Sequence, residues 1–215
     1  MKPPRAILFD WDNTLVDTWA IIHRALNVTL EAMGKPAWTI DETKARVRAS
    51  ARDSFPTLFG ERAEAAAELF YRTFESEHLQ ALRELHGASA LLERLSSADF
   101  VLAVVSNKKG HLLRREAEHL GWAEHFHRLV GATDAARDKP AVEPVELALA
   151  GSDIAPGEAV WFVGDTDIDM LCAANAGCVP VLLRAEAPKK GEFGALSPRY
   201  HVKSCSALAE LLLAP

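Results

Sequence analysis

Residues 6–14 read AILFDWDNT. Four apolar residues in succession give way to Asp10 and Asp12, which are split by the bulky Trp11. An apolar run this short, with no polar alternation, suits a strand buried on both faces of a parallel sheet. A solvated turn would account for two acids at its end, so the rest of the chain has to decide what they are for.

Similar short runs recur at Phe100 to Val105, Leu129 to Val130, Val160 to Val163 and Val179 to Leu183. Helical patterns separate them: Lys109 to Leu120, Glu143 to Ala150, Asp167 to Ala176 and Ser206 to Leu213. Strand and helix in alternation predict an α/β fold with a Rossmann-like parallel sheet core. The interval from Val16 to His86 breaks the pattern. Its first part, Thr18 to Met33, has helical spacing and stops at Gly34 with Pro36 beyond. Its last part, Arg62 to Leu85, is rich in strong helix formers. The expected organisation is a core of residues 1–15 and 87–215, with an inserted α-helical domain at 16–86. The Pro-, Gly- and Lys-containing stretch Ala187 to Pro198 reads as a surface loop.

Bulk properties narrow the classes. At 215 residues and 49% hydrophobic, the chain can bury a substantial core. A formal charge of -6 lacks the basic footprint of a general nucleic-acid binder, yet permits local sites for small anions. Three cysteines without a CxxC pair suit reduced packing residues rather than a disulfide framework or a zinc site. His78, His86, His111, His119, His125 and His127 form no metal-ligand spacing, and His119, His125 and His127 read as surface groups. The apolar N-terminal stretch is too short for a signal-peptide core, and no segment approaches a membrane span. The expectation is a cytoplasmic protein with no membrane and no nucleic-acid partner; a monomer and a homodimer both fit the sequence.

In an open parallel sheet, ligands bind beyond the carboxyl ends of the strands. Asp10 and Asp12 follow the first run, and Ser106 and Asn107 the second. Lys139-Pro140 closes the loop after the third, and Gly164-Asp165 the fourth, with Asp169 one helical turn on. Every one of these ends carries residues suited to phosphate and metal.

DWDNT, VVSN, DKP and GDTDID, in this order, resemble the four signature motifs of the haloacid dehalogenase-like hydrolase superfamily, and the helical insertion resembles its C1-type cap. The flanking SNK, KPAVEPVELAL and FVGDTDIDMLCAANAGC are similar to the phosphoglycolate phosphatase-like branch. The resemblance covers nearly the whole chain and implies a Mg²⁺-dependent phosphatase acting on a small phosphorylated metabolite, 2-phosphoglycolate foremost.

The chemistry asks for the same residues. An anionic oxygen in line with the leaving group attacks phosphorus best, and water then opens the covalent intermediate. Asp10 is the expected nucleophile. Asp12, two residues on, would protonate the departing alcohol and then take a proton from water. The resemblance implies that Asp10, the backbone carbonyl of Asp12 and Asp165 hold Mg²⁺, with Asp169 supporting that shell or orienting Lys139. Which of Asp165 and Asp169 ligates directly stays open. Asp167, between them, is expected to face elsewhere. Ser106 would donate to a phosphoryl oxygen together with the N–H groups of the following helix start, and Lys139 would offset negative charge.

Asn13 stands where glycine is commoner, and Asn tolerates the positive φ such a turn needs. Trp11 should pack against the cap junction or the core. Asn107, Lys108, Arg48 and Arg52 are candidate substrate-binding residues: Lys108 for a substrate anion, the two arginines for a carboxylate. A nucleotidase, sugar phosphatase, pyrophosphatase or phosphomutase would use the same core chemistry. A receiver-type phosphoacceptor module shares the acidic pocket, but is about half this length and lacks both the insertion and an acid two residues past the acceptor.

Overall fold

The computed structural model describes residues 3–214. These divide into two compact units, residues 3–16 with 84–214, and residues 17–83.

The larger unit is built on a six-stranded parallel sheet. Its strands are β1 (Ala6–Phe9), β4 (Val101–Lys109), β5 (Arg128–Ala132), β6 (Val160–Gly164), β7 (Val179–Leu183) and β8 (Tyr200–Val202), in the order β5-β4-β1-β6-β7-β8. The helices of this unit are α5 (Ala88–Ser96), α6 (Gly110–His119), α7 (Glu143–Leu149), α8 (Asp167–Asn175) and α9 (Cys205–Leu213). This is the α/β class and parallel core expected from the alternating runs.

Burial explains why those runs lack polar alternation. Ala6 and Leu8 of β1 join Ala103, Val105, Val130 and Phe162 in a cluster closed by Val145 and Ala148 of α7 and Cys172 and Ala173 of α8. Ile7 and Phe9 point the other way by the two-residue period of a strand, and they are equally inaccessible. Each fully buried side chain of that size is worth about 1.5–3 kcal/mol, so a polar residue on either face would be costly.

β1 lies centrally, with β4 on one side and β6 on the other. Phe9 pairs with Val104 and with Val163, so the chain leaves β1 beside the carboxyl end of β6 and alongside β4, which runs on to Lys109. Chain order reverses around β1, the kind of switch point where ligands bind in open α/β sheets.

Several boundaries differ from expectation. β4 does not end at Val105; after a register irregularity it pairs Lys109 with Ala132. Ser106 and Asn107 therefore lie within the strand. α5 and the three-residue β8 had no clear sequence signal. The stretch 187–198 is largely exposed, as expected of a loop, although Phe193 buries against Met170 and Leu182.

The smaller unit contains α1 (Trp19–Ala32), α2 (Ile40–Arg46), α3 (Ala51–Phe59) and α4 (Ala63–Ala81). α2 opens on a capping box in which Thr39 and Glu42 satisfy each other's backbone N–H. Leu26 and Leu30 of α1 pack with Phe55 and Phe59 of α3 and Ala66 of α4. Asn27 clamps the α1–α2 connection by bonding both the N–H and the carbonyl of Trp38. The chain passes between the units through β2 (Val16–Asp17) and β3 (Arg83–Glu84), two-residue strands that pair with each other where no strand was expected.

Candidate active site

Asp10 is the first residue past β1, and its N–H donates to the Val163 carbonyl at 2.8 Å, which fixes it against β6. Asn13 then turns the chain at φ 66°, the positive value anticipated for it. That turn brings Thr14 back over the strand end. Its hydroxyl lies 3.5 Å from Asp10 Oδ2 and 3.3 Å from Asp165 Oδ1. Thr14 is fully buried and links two acids 155 positions apart (165 − 10). Sequence reasoning gave it no role, although it closes the DWDNT motif.

Lys139 reaches the same point. Its ammonium donates to Asp10 Oδ1 at 2.5 Å and to Asp169 Oδ1 at 2.8 Å, and only 3% of the residue is exposed. The other oxygen of Asp169 accepts from the N–H and hydroxyl of Thr166, at 3.0 and 2.7 Å, across the first turn of α8. Gly164 is required beside it: a Cβ there would fall 2.4 Å from Asp169 Cβ.

Asp10, Asp165 and Asp169 each bring a carboxylate oxygen within 4.8 Å of the others, the one such metal-competent group among the described residues. Burial raises the Asp10 pKa to about 7, with Lys139 opposing and Asp169 and Asp12 adding to the rise. Asp165 is likewise pushed well above its ordinary value by burial, then by Asp169 and Asp10. For Lys139, burial works against the charged form, but Asp10 and Asp169 outweigh it and hold the ammonium protonated. One cation among three acids, two buried and one half-buried, leaves negative charge uncompensated, and the donors are all hard oxygens. Such a set suits Mg²⁺, which takes few carboxylates and keeps water and substrate oxygens as its other ligands. Asp167 is exposed.

Ser106 and Asn107 lie at the same edge of the sheet. Ser106 is buried, and its Oγ accepts from the N–H of Lys108 at 3.1 Å. It does not start the next helix; α6 begins at Gly110 after Lys109. Asn107 donates its amide N–H to the Lys139 carbonyl at 3.3 Å, tying β4 to the lysine segment.

Lys108 departs from its expected role. Rather than presenting its ammonium to a substrate anion, it is buried between Asp12 Oδ1, at 2.7 Å, and the carboxylate of Glu116. Burial disfavours its charge, but Asp12 and Glu116 keep it protonated. Glu116 was missed, although a signal existed. The buried residues of α6 include Leu112, Leu113, Glu116 and Ala117, an apolar stripe interrupted by one acid. Trp11 packs in the core of the larger unit, edge-on to Trp122 and Phe126. Arg48 and Arg52 belong to the helical unit, and both are exposed. The three cysteines are buried free thiols, with Cys172 pushed up to about 12 by burial. No helix among the described residues is long and apolar enough to cross a membrane.

The parallel sheet thus gathers Asp10, Lys139, Asp165 and Asp169 into one acidic cluster beyond its central strands. A family model for haloacid dehalogenase-like hydrolases matches residues 7–182, and the chain belongs to that family. Over 181 residues it is 30% identical to a phosphoglycolate phosphatase of Xanthomonas campestris pv. campestris, covering 82% of this chain and 81% of the relative. It is also 30% identical to the pyrophosphatase PpaX of Anoxybacillus flavithermus over 172 residues, 80% and 79% of the two chains. The fold is shared with a haloacid dehalogenase-like family hydrolase from Streptococcus pneumoniae. That match has a TM-score of 0.84 at 23% identity over 97% of this chain and 98% of the other.

Proposed function

We propose that this protein is a Mg²⁺-dependent phosphatase that hydrolyses a small phosphomonoester through an aspartyl-phosphate on Asp10. The observation that carries this reading is the shared ammonium of Lys139, which bonds Asp10 and Asp169 inside a three-carboxylate cluster. Asp10 is then a carboxylate with a buried counter-cation, at a strand end where a phosphoryl group can approach.

In the first half-reaction an Asp10 oxygen bonds to phosphorus and the ester P–O bond breaks. The electron pair goes to the leaving oxygen, which takes a proton from Asp12. In the second, a water oxygen bonds to phosphorus, its proton passes to Asp12, and the phosphorus–Asp10 bond opens. Lys139 keeps positive charge beside Asp10 throughout. Bound Mg²⁺ supplies the charge that lets a carboxylate meet a phosphate dianion. Asp10, Asp165 and the backbone carbonyl of Asp12 would hold it, with Asp169 supporting the shell and Lys139. Thr14 orients Asp10 and Asp165, and Ser106 is the proposed donor to a phosphoryl oxygen.

The proposed substrate is 2-phosphoglycolate, supported by the phosphoglycolate phosphatases among the relatives. Arg48 and Arg52 of the helical unit, read as a cap, are the proposed partners of its carboxylate. Pyrophosphate is the second reading, supported by the PpaX relatives at comparable identity. Phosphate release from 2-phosphoglycolate, pyrophosphate, sugar phosphates, nucleotides and p-nitrophenyl phosphate, with Mg²⁺ and with chelator, tests both. Mg²⁺-dependent turnover of a monoester is expected; no turnover of any of them would overturn the reading.

A further inference from the structure

Asp12 stands at the end of a buried ionic chain. Lys108 Nζ lies 2.7 Å from Asp12 Oδ1, and 2.9 and 2.7 Å from Oε1 and Oε2 of Glu116. Glu116 Oε2 also accepts the indole N–H of Trp11 at 2.7 Å. Glu116 and Trp11 have no exposed surface, and Lys108 has 9%. The chain of contacts starts at Trp11 and returns to its neighbour Asp12, by way of β4 and α6.

Stability alone does not call for these ions. Buried ion pairs are often matched or bettered by apolar residues of similar volume, because desolvation cancels most of the attraction. What such a pair does supply is a fixed geometry. A lysine stem is flexible and its three donors rotate. With Glu116 taking two of the hydrogen bonds, the direction of the ammonium toward Asp12 is set, and Glu116 is set in turn by the rigidly packed Trp11 ring. An ammonium has no acceptor, so Asp12 Oδ1 can only accept from it. The proton that moves between Asp12 and the substrate must therefore ride on Oδ2.

We propose that Lys108 and Glu116, braced by Trp11, are positioning residues that orient Asp12 so that Oδ2 faces the leaving oxygen and then the attacking water. The proposal rests on the phosphatase reading above. In the first half-reaction Oδ2 gives its proton to the alkoxide as the ester P–O bond breaks. In the second it receives a proton from water as the phosphorus–Asp10 bond breaks.

The two halves can be separated by the leaving group. Nitrophenolate departs without a proton, whereas an alkoxide does not. Lys108→Met, Glu116→Gln and Trp11→Phe are to be assayed with 2-phosphoglycolate, glycerol 2-phosphate and p-nitrophenyl phosphate. In the first two variants kcat for the alkyl phosphate that wild type turns over should fall about 100-fold, with KM changed less than about 3-fold. With p-nitrophenyl phosphate, a stoichiometric burst of nitrophenolate should persist at the wild-type rate, followed by slow turnover and accumulated phosphoenzyme. Trp11→Phe should show the same pattern, weakened. Melting curves report folding; were Glu116→Gln unfolded, the other two variants still decide. An equal loss on aryl and alkyl substrates with a slowed burst, or unchanged kinetics in Lys108→Met, would overturn the positioning role alone. Inactive wild-type protein on every substrate would instead bring down the phosphatase reading beneath it.

Discussion

The ammonium of Lys139 lies 2.5 Å from Oδ1 of Asp10, a residue 129 positions earlier in the chain. Both groups are buried, and the same ammonium also bonds Asp169. One lysine thus neutralises the proposed nucleophile and anchors it to the start of α8.

Replacing that lysine should cost both activity and fold. Lys139→Met keeps the length of the side chain but leaves Asp10 and Asp169 without their cation. Removing one partner of a buried pair typically costs about 3–5 kcal/mol, so the metal-free variant should melt well below wild type. Loss of a preorganised charge beside the reacting group should lower kcat by about 100- to 1,000-fold. Thermal melts in chelator, together with steady-state kinetics, check both numbers.

The raised pKa of Asp10 predicts a pH-dependent response to Mg²⁺. An acid whose folded pKa of about 7 exceeds its ordinary value of about 3.9 favours the protonated form in the folded state. Its contribution to stability is therefore complete below about pH 4 and is lost as pH rises through about 7. Asp165 is shifted in the same direction and adds to the trend. Mg²⁺ needs these carboxylates ionised. The increase in Tm on adding Mg²⁺ should be larger near about pH 7.5 than near about pH 5. Melts at the two pH values, with Mg²⁺ and with chelator, give the comparison.

Gly164 offers a probe of the cluster that removes none of its carboxylates. In Gly164→Ala the new Cβ would meet the Cβ and Cγ of Asp169 at 2.4 Å, forcing that side chain off Lys139 and Thr166. Displacing a group that supports a metal site typically costs about 10- to 100-fold in metal affinity or activity. The Mg²⁺ concentration for half-maximal turnover should rise by that order, while the far-UV spectrum stays that of wild type.

Much of this site was legible because parallel strands write it into the sequence. Runs such as Ala6–Phe9 and Val160–Gly164 are apolar at every position since both faces are covered, and the residue after each of these two runs sits at the ligand-binding edge. Asp10 and Asp165 could be marked on that basis, whereas Lys139 and Asp169, which follow no run directly, were marked by the DKP and GDTDID motifs they stand in. Lys108 could not. Next to Ser106 and Asn107 it looked like a cation waiting for an anion, and nothing nearby in sequence announces the acid that meets it. That acid, Glu116, comes from the next helix, and only the packing of α6 against β4 and β5 shows the pairing. Ser106 was misplaced for a related reason: β4 continues past its apolar run because β5 offers Ala132 as a further partner. Strand ends set by pairing rather than by hydrophobicity leave no mark in composition.

The proposed mechanism turns on the covalent step at Asp10. Asp12→Asn protein, which keeps the nucleophile but not the proton carrier, is to be mixed with p-nitrophenyl phosphate and Mg²⁺, quenched in acid and mapped by mass spectrometry. An acid-stable, hydroxylamine-labile phosphoryl group on the peptide bearing Asp10 is the predicted result, absent when Asp10 is also changed to Asn. Undiminished phosphate release from Asp10→Asn protein, or a phosphoryl group found elsewhere in the chain, would contradict it.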